Sequence, residues 1–173
     1  MATLIPFNLL GDFVVSKSLD DYYIYALQAI GVGDFLGRLM TGPLTQYFSI
    51  DLVKFCVASQ LVCTLIILLF PVVVNGIQLV VQALIFGATY GCQCVLLATV
   101  PHKIFGKENL NAIFGLTMFF GGAGIFIGPP IAGLLVDLTK SYLGVFIFSG
   151  AGQFVATVCT FLLLFNHPCP QLG

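Results

Sequence analysis

The chain has 173 residues, 59% of them hydrophobic and 8% charged, with a formal net charge of −1. Soluble domains carry about 25% charged residues, so this composition excludes a water-soluble surface and marks an integral, all-α, multi-pass membrane protein in a lipid bilayer. A net charge so close to zero gives no reason to expect nucleic acid as a partner.

Residues 1–12 are apolar but short for a span, lack a basic start and run into Asp12. They do not read as a signal peptide. The simplest expectation is the tail of a longer helix whose start lies upstream. Five complete spans follow, at 22–44, 52–74, 77–101, 111–136 and 142–165. Each meets the ~20 apolar residues that cross a hydrocarbon core. The connections between them are short and polar, so no linker can hold a second domain. Lys54, Lys103 and Lys107 fall on one side of this topology, and Lys17 and Lys140 on the other. The excess of basic residues favours the first side, and with it the C-terminus, as cytoplasmic.

The first span, YIYALQAIGVGDFLGRLMTGPL, holds Asp34 and Arg38. Four residues apart, they share one helix face one turn apart. A charge inside a bilayer costs roughly 2.5–3.5 kcal/mol on insertion scales. Such residues persist where they face a cavity, a partner or a pathway. Three readings stay open. The pair can be a structural ion pair that fixes helix packing. Arg38 can snorkel toward the headgroups. Or the pair can form a substrate and proton site, since a guanidinium offers a planar fork of donors suited to a carboxylate.

Glycines number 19, and Gly33/Gly37, Gly87/Gly91 and Gly124/Gly128 are G-x-x-x-G pairs. They permit close helix approach in lipid, and ordinary packing is their plainest use. In the fourth span, Pro129-Pro130 frees backbone groups and predicts a kink. Tyr90, Cys92, Gln93, Cys94 and Thr99 make the third span mildly polar, while Gln60, Asn75, Gln82 and Gln153 are isolated polar residues elsewhere. Interhelical hydrogen bonding accounts for most of them. Tyr90 differs, because an aromatic away from the interfaces can shape a cavity. His102, beside Lys103, reads as interfacial.

None of the six cysteines has zinc-site spacing, and Cys92 and Cys94 point to different helix faces. No nucleophile–base arrangement, phosphate loop or metal-ligand cluster is present in the sequence. Neither an enzyme nor a metal or other cofactor is therefore expected. No Asn-x-Ser/Thr sequon occurs.

GVGDFLGRLMTGPL at 31–44 resembles the eighth helix of the monocarboxylate transporters of the major facilitator superfamily. FGATYG at 86–91 resembles their glycine-rich tenth helix. The segment at 108–142 resembles the signature of their second half, through Gly115-Leu116, Gly128-Pro129-Pro130, Gly133-Leu134-Leu135, Asp137 and Ser141-Tyr142. The resemblance covers nearly the whole chain. It implies the C-terminal six-helix half of a transporter, as the end of helix seven plus helices eight to twelve, with an N-terminal half missing. It further implies two halves rocking about a central site, and placement in the plasma membrane. Where many members have Pro after the Arg, this chain has Leu39, and where the tenth helix often carries Phe and then Ser it has Tyr90 and Cys94.

Carried over, the resemblance implies that Arg38 binds a substrate carboxylate, that Asp34 carries a coupled proton, and that Tyr90 and Cys94 line the cavity. It implies proton-coupled symport of lactate- or pyruvate-like anions. Single-span ancillary proteins are common partners in the family, though no residue here argues for one. The alternatives are a short isoform acting as an interaction subunit through its glycine-rich faces, and a transporter of another organic solute.

Overall fold

The computed structural model describes Gly11, Val14 and residues 20–47, 51–105, 110–139 and 142–166. Five helices account for these residues almost completely: α1 Asp20–Tyr47, α2 Leu52–Leu69, α3 Gly76–Phe105, α4 Leu110–Thr139 and α5 Tyr142–Asn166. A single 3-10 turn, Phe70–Val72, follows α2. Proline at its start explains the change of winding, since Pro71 has no N–H to give to the helical ladder. The expected partial span at 1–12 lies, apart from Gly11, outside the described residues.

The boundaries follow the sequence reading to within a few residues, and the architecture is all-α. Hydropathy separates the helices. Among the described residues four are long and apolar enough to cross a membrane: Leu52–Val72, Gly76–Pro101, Asn111–Thr139 and Tyr142–Leu162. The first helix is not among them, although its 28 residues reach ~42 Å at 1.5 Å each. The cause is the charge it carries mid-length, at Asp34 and Arg38. The expectation of five spans thus meets four helices that qualify on composition and one that depends on its neighbour.

That neighbour is α3. The two helices run parallel and close: Gly76 faces the Tyr22 ring, Gly87 faces the Ile30 carbonyl, and Gly91 faces the Asp34 carbonyl. In return Gly33 and Gly37 lie against the backbone of Leu84 and Ala88. A Cβ at any of these four mid-helix glycines would collide with backbone of the other helix. The two G-x-x-x-G pairs therefore form one seam with each other, and α1 is held at the depth of a spanning helix.

Behind the seam, α2, α3 and α5 share a core whose halves differ in chemistry. At one end Phe70 stacks on Phe146 with centroids 5.7 Å apart and meets Phe86 edge-on at 5.9 Å. Ile67, Val73 and Leu79 complete this apolar end, all buried. Toward the other end lie Ser59, Gln153 and Thr157, buried and polar. Truncating Phe70 to alanine should cost roughly 3–5 kcal/mol, as for other buried aromatics. The check is the thermal midpoint in detergent, which should fall well below that of the exposed control Phe126→Ala.

Helix α4 stands apart. Only 6% of its apolar window is buried, against 33–39% for the other three. It touches α5 through Ala132 and Val145, and Gly115, Gly122 and Gly133 meet nothing within 4 Å. Pro129 and Pro130 lie inside it, and the helix continues unbroken through both.

Candidate functional site

Asp34 and Arg38 meet as their spacing requires. Arg38 Nε donates to both carboxylate oxygens of Asp34, at 3.1 Å to Oδ1 and 3.0 Å to Oδ2. The ion pair thus uses one edge of the guanidinium. The two Nη groups donate no hydrogen bond to any described residue, and the Arg38 side chain is 51% exposed against 27% for Asp34. Two parallel N–H donors on one planar fork are what a carboxylate binds bidentately.

The position of this pair is set by backbone. Gly91 packs under the Asp34 carbonyl, and a Cβ there would also press on the Arg38 amide nitrogen at 3.1 Å. One turn further along α1, the Gly37 carbonyl accepts from Thr41 Oγ1 at 2.6 Å and, across the seam, from Cys92 Sγ at 3.5 Å. Those contacts bring the next residues of α3 to the pair. Tyr90 and Cys94, one turn apart on α3, flank the Gly91 contact, and both lie within electrostatic reach of Arg38. The four residues singled out by the sequence therefore lie along the same stretch of the seam, on two helices.

Other expectations fared unevenly. Gln153 makes the interhelical hydrogen bond foreseen for isolated amides, donating to Gln93 at 3.2 Å. Gln60 and Gln82 differ: their buried Oε1 atoms have no partner among the described residues. Asn75, with Tyr22, Gly76, Ile77 and Gln78, lines an open cavity of about 520 Å³. That cavity lies ~24 Å along α1 from Arg38, counted at 1.5 Å per residue, and does not join the site. Among the described residues no group of three His, Cys, Asp or Glu side chains is placed to hold a metal. Sequence reasoning gave Gln93 no particular role. The signal for it was its spacing, since Gln82, Thr89 and Gln93 fall on one face of α3.

Long apolar helices, two of them packed through glycine around a charged pair, define a polytopic membrane protein. No family model matches the chain. Curated relatives do. It is 30% identical to Monocarboxylate transporter 9 of Gallus gallus over 167 residues, which is 95% of this chain and 32% of that protein. Against Monocarboxylate transporter 12-B of Danio rerio it is 28% identical over 94% of the chain and 34% of the relative. Against Monocarboxylate transporter 4 of Mus musculus it is 38% identical over 91 residues, 53% of the chain and 19% of the relative. The chain belongs to the monocarboxylate transporter family. It spans about a third of the length of the curated relatives it matches.

Proposed function

We propose that the chain acts as the C-terminal half of a secondary transporter, carrying a monocarboxylate of the lactate or pyruvate type together with a proton across the plasma membrane. The observation that carries the reading is the division of labour on Arg38: its Nε holds Asp34 while both Nη groups remain open. The relatives' names point to the same class of solute.

The chemistry follows from the pair. With Asp34 ionised, the guanidinium is neutralised and its attraction for a second anion is weak. Protonating Asp34 removes that competition, and Arg38 then takes the substrate carboxylate on its free edge. Proton and anion enter together, so the loaded site has the same charge as the empty ionised pair. A site that stays neutral avoids the cost of carrying net charge through a low-dielectric barrier. Release of the anion lets the proton leave and restores the pair. Tyr90 and Cys94 close the wall beside Arg38 and set how large an acyl group fits. Such a cycle needs no catalytic group, cofactor or metal, and the excess of basic residues on one side supports a cytoplasmic C-terminus.

The test is uptake by the intact transporter in proteoliposomes. Lactate uptake should accelerate when the outside is made acidic, with one proton entering per anion. The sign follows from Asp34 needing its proton before the anion binds. In Asp34→Asn the site mimics the protonated state permanently. Its uptake should lose pH dependence while exchange of one anion for another persists. Uptake by Asp34→Asn that keeps the full wild-type response to pH would overturn the role given to Asp34.

A further inference from the structure

The Tyr90–Cys94 turn of α3 is anchored from two sides. On one side the glycine seam sets Gly91 against α1. On the other, Gln153 Nε2 of α5 donates to Gln93 Oε1 at 3.2 Å, and Gln93 Nε2 reaches the Ser59 carbonyl of α2 at 3.5 Å. The Gln93 carboxamide thus ties three helices at one point. The far ends of the link are themselves fixed. Ser59 is buried and donates to the Cys56 carbonyl at 2.9 Å, and Thr157, also buried, donates to the Gln153 carbonyl at 2.9 Å. Gln153 is only 4% exposed, so no water can replace its amide without opening the core.

Gly91 and Gln93 are two residues apart, so their anchors lie about 160° from each other around α3, at roughly 100° per residue. Tyr90 and Cys94 fall on the arc between them. A helix pinned at one side can roll about that contact, whereas one pinned at two nearly opposite sides cannot. The roll angle of α3 decides how far the Tyr90 ring and the Cys94 thiol stand from Arg38.

We propose that Gln93 and Gln153 are positioning residues for the solute site: their hydrogen bond fixes the roll of α3 and thereby the size of acyl group accepted beside Arg38. The inference deepens the transport reading and rests on it for the nature of the solute. Its geometric part stands on its own. Gln93 is half-buried, so removing the Gln153 donor leaves its carbonyl to seek another partner and releases α3 to turn with it.

Two measurements on Gln153→Leu test this. The first is the rate at which a water-soluble maleimide labels Cys94 in membrane vesicles, taken as the difference from a Cys94→Ala control. The second is the ratio of half-saturating concentrations for a two- or three-carbon monocarboxylate and a branched or aromatic one. Both should move by about threefold or more, the scale of one interhelical hydrogen bond in lipid. The double variant Gln93→Leu/Gln153→Leu leaves no orphaned amide, so its thermal stability should recover while its size preference stays altered. A pair that serves packing alone would recover both together, and that result overturns the proposal. So does a Cys94 labelling rate equal to wild type in Gln153→Leu. If labelling moves while the wild-type protein takes up no monocarboxylate, the positioning role holds and the transport reading fails.

Discussion

Uptake by the Arg38→Ala transporter is expected to fall by about 100-fold or more, at any pH. Truncating Arg38 removes the charge and every donor that it offers. Two losses combine here. The substrate carboxylate loses both Nη donors, and Asp34 loses the only cation the described residues place against it. Without that cation Asp34 has no partner to exchange for the substrate, so coupling fails together with binding. Arg38→Lys separates the two effects. An ammonium keeps the charge but not the planar fork, and it cannot bind Asp34 and a substrate along two edges at once. Binding should be partly retained and the dependence on pH shallower. Radiolabelled lactate counterflow in proteoliposomes reads both variants. Arg38→Ala retaining more than half of wild-type exchange would remove Arg38 from the site.

How much of this arrangement was legible beforehand depends on the kind of contact. Helix positions were legible because apolar runs of membrane length are bounded by Asn75-Gly76, by the Gln46–Asp51 stretch and by the polar end of α5. The Asp34–Arg38 pair was legible because helical spacing alone brings residues four apart together. Contacts between helices were not. Gly33, Gly37, Gly87 and Gly91 announce that some helix can approach closely, yet nothing in their spacing says that the two pairs meet each other. Parallel helices separated by an antiparallel one are joined only in space. The Gln93–Gln153 bond is harder still, spanning 60 positions. An amide in an apolar segment states that a partner is needed without naming it, and for the oxygens of Gln60 and Gln82 no partner lies among the described residues.

Hydropathy misleads in an instructive direction. It ranks α4, the least packed helix, among the clear spans, and leaves out α1, which carries the site. The same two charges that lower the hydropathy of α1 are the reason it matters. What α1 lacks in hydropathy it meets with its close docking on α3.

That dependence makes Gly91 the residue whose replacement should have the widest effect. Gly91→Val puts a branched side chain where the Asp34 carbonyl and the Arg38 amide already touch the α3 backbone. Neither helix can yield locally, because both obstructing atoms are main chain, so the axes must separate. Separation opens the seam at Gly33, Gly37 and Gly87 as well, and it moves Tyr90 and Cys94 away from Arg38. Uptake should be lost as fully as in Arg38→Ala, with Gly91→Ala intermediate. A loss of uptake alone would not identify the cause, so the seam itself needs a reporter. Thr41 Oγ1 and Cys92 Sγ share the Gly37 carbonyl, which sets a cysteine at 41 beside Cys92. In Thr41→Cys, mild oxidation should link positions 41 and 92, as read by mass spectrometry of the joined peptides. Adding Gly91→Val should abolish that link while leaving free thiols at both positions. A link that forms at the same rate with valine at 91 would mean that the helices tolerate the side chain, and the glycine seam would not be what holds the charged pair in place.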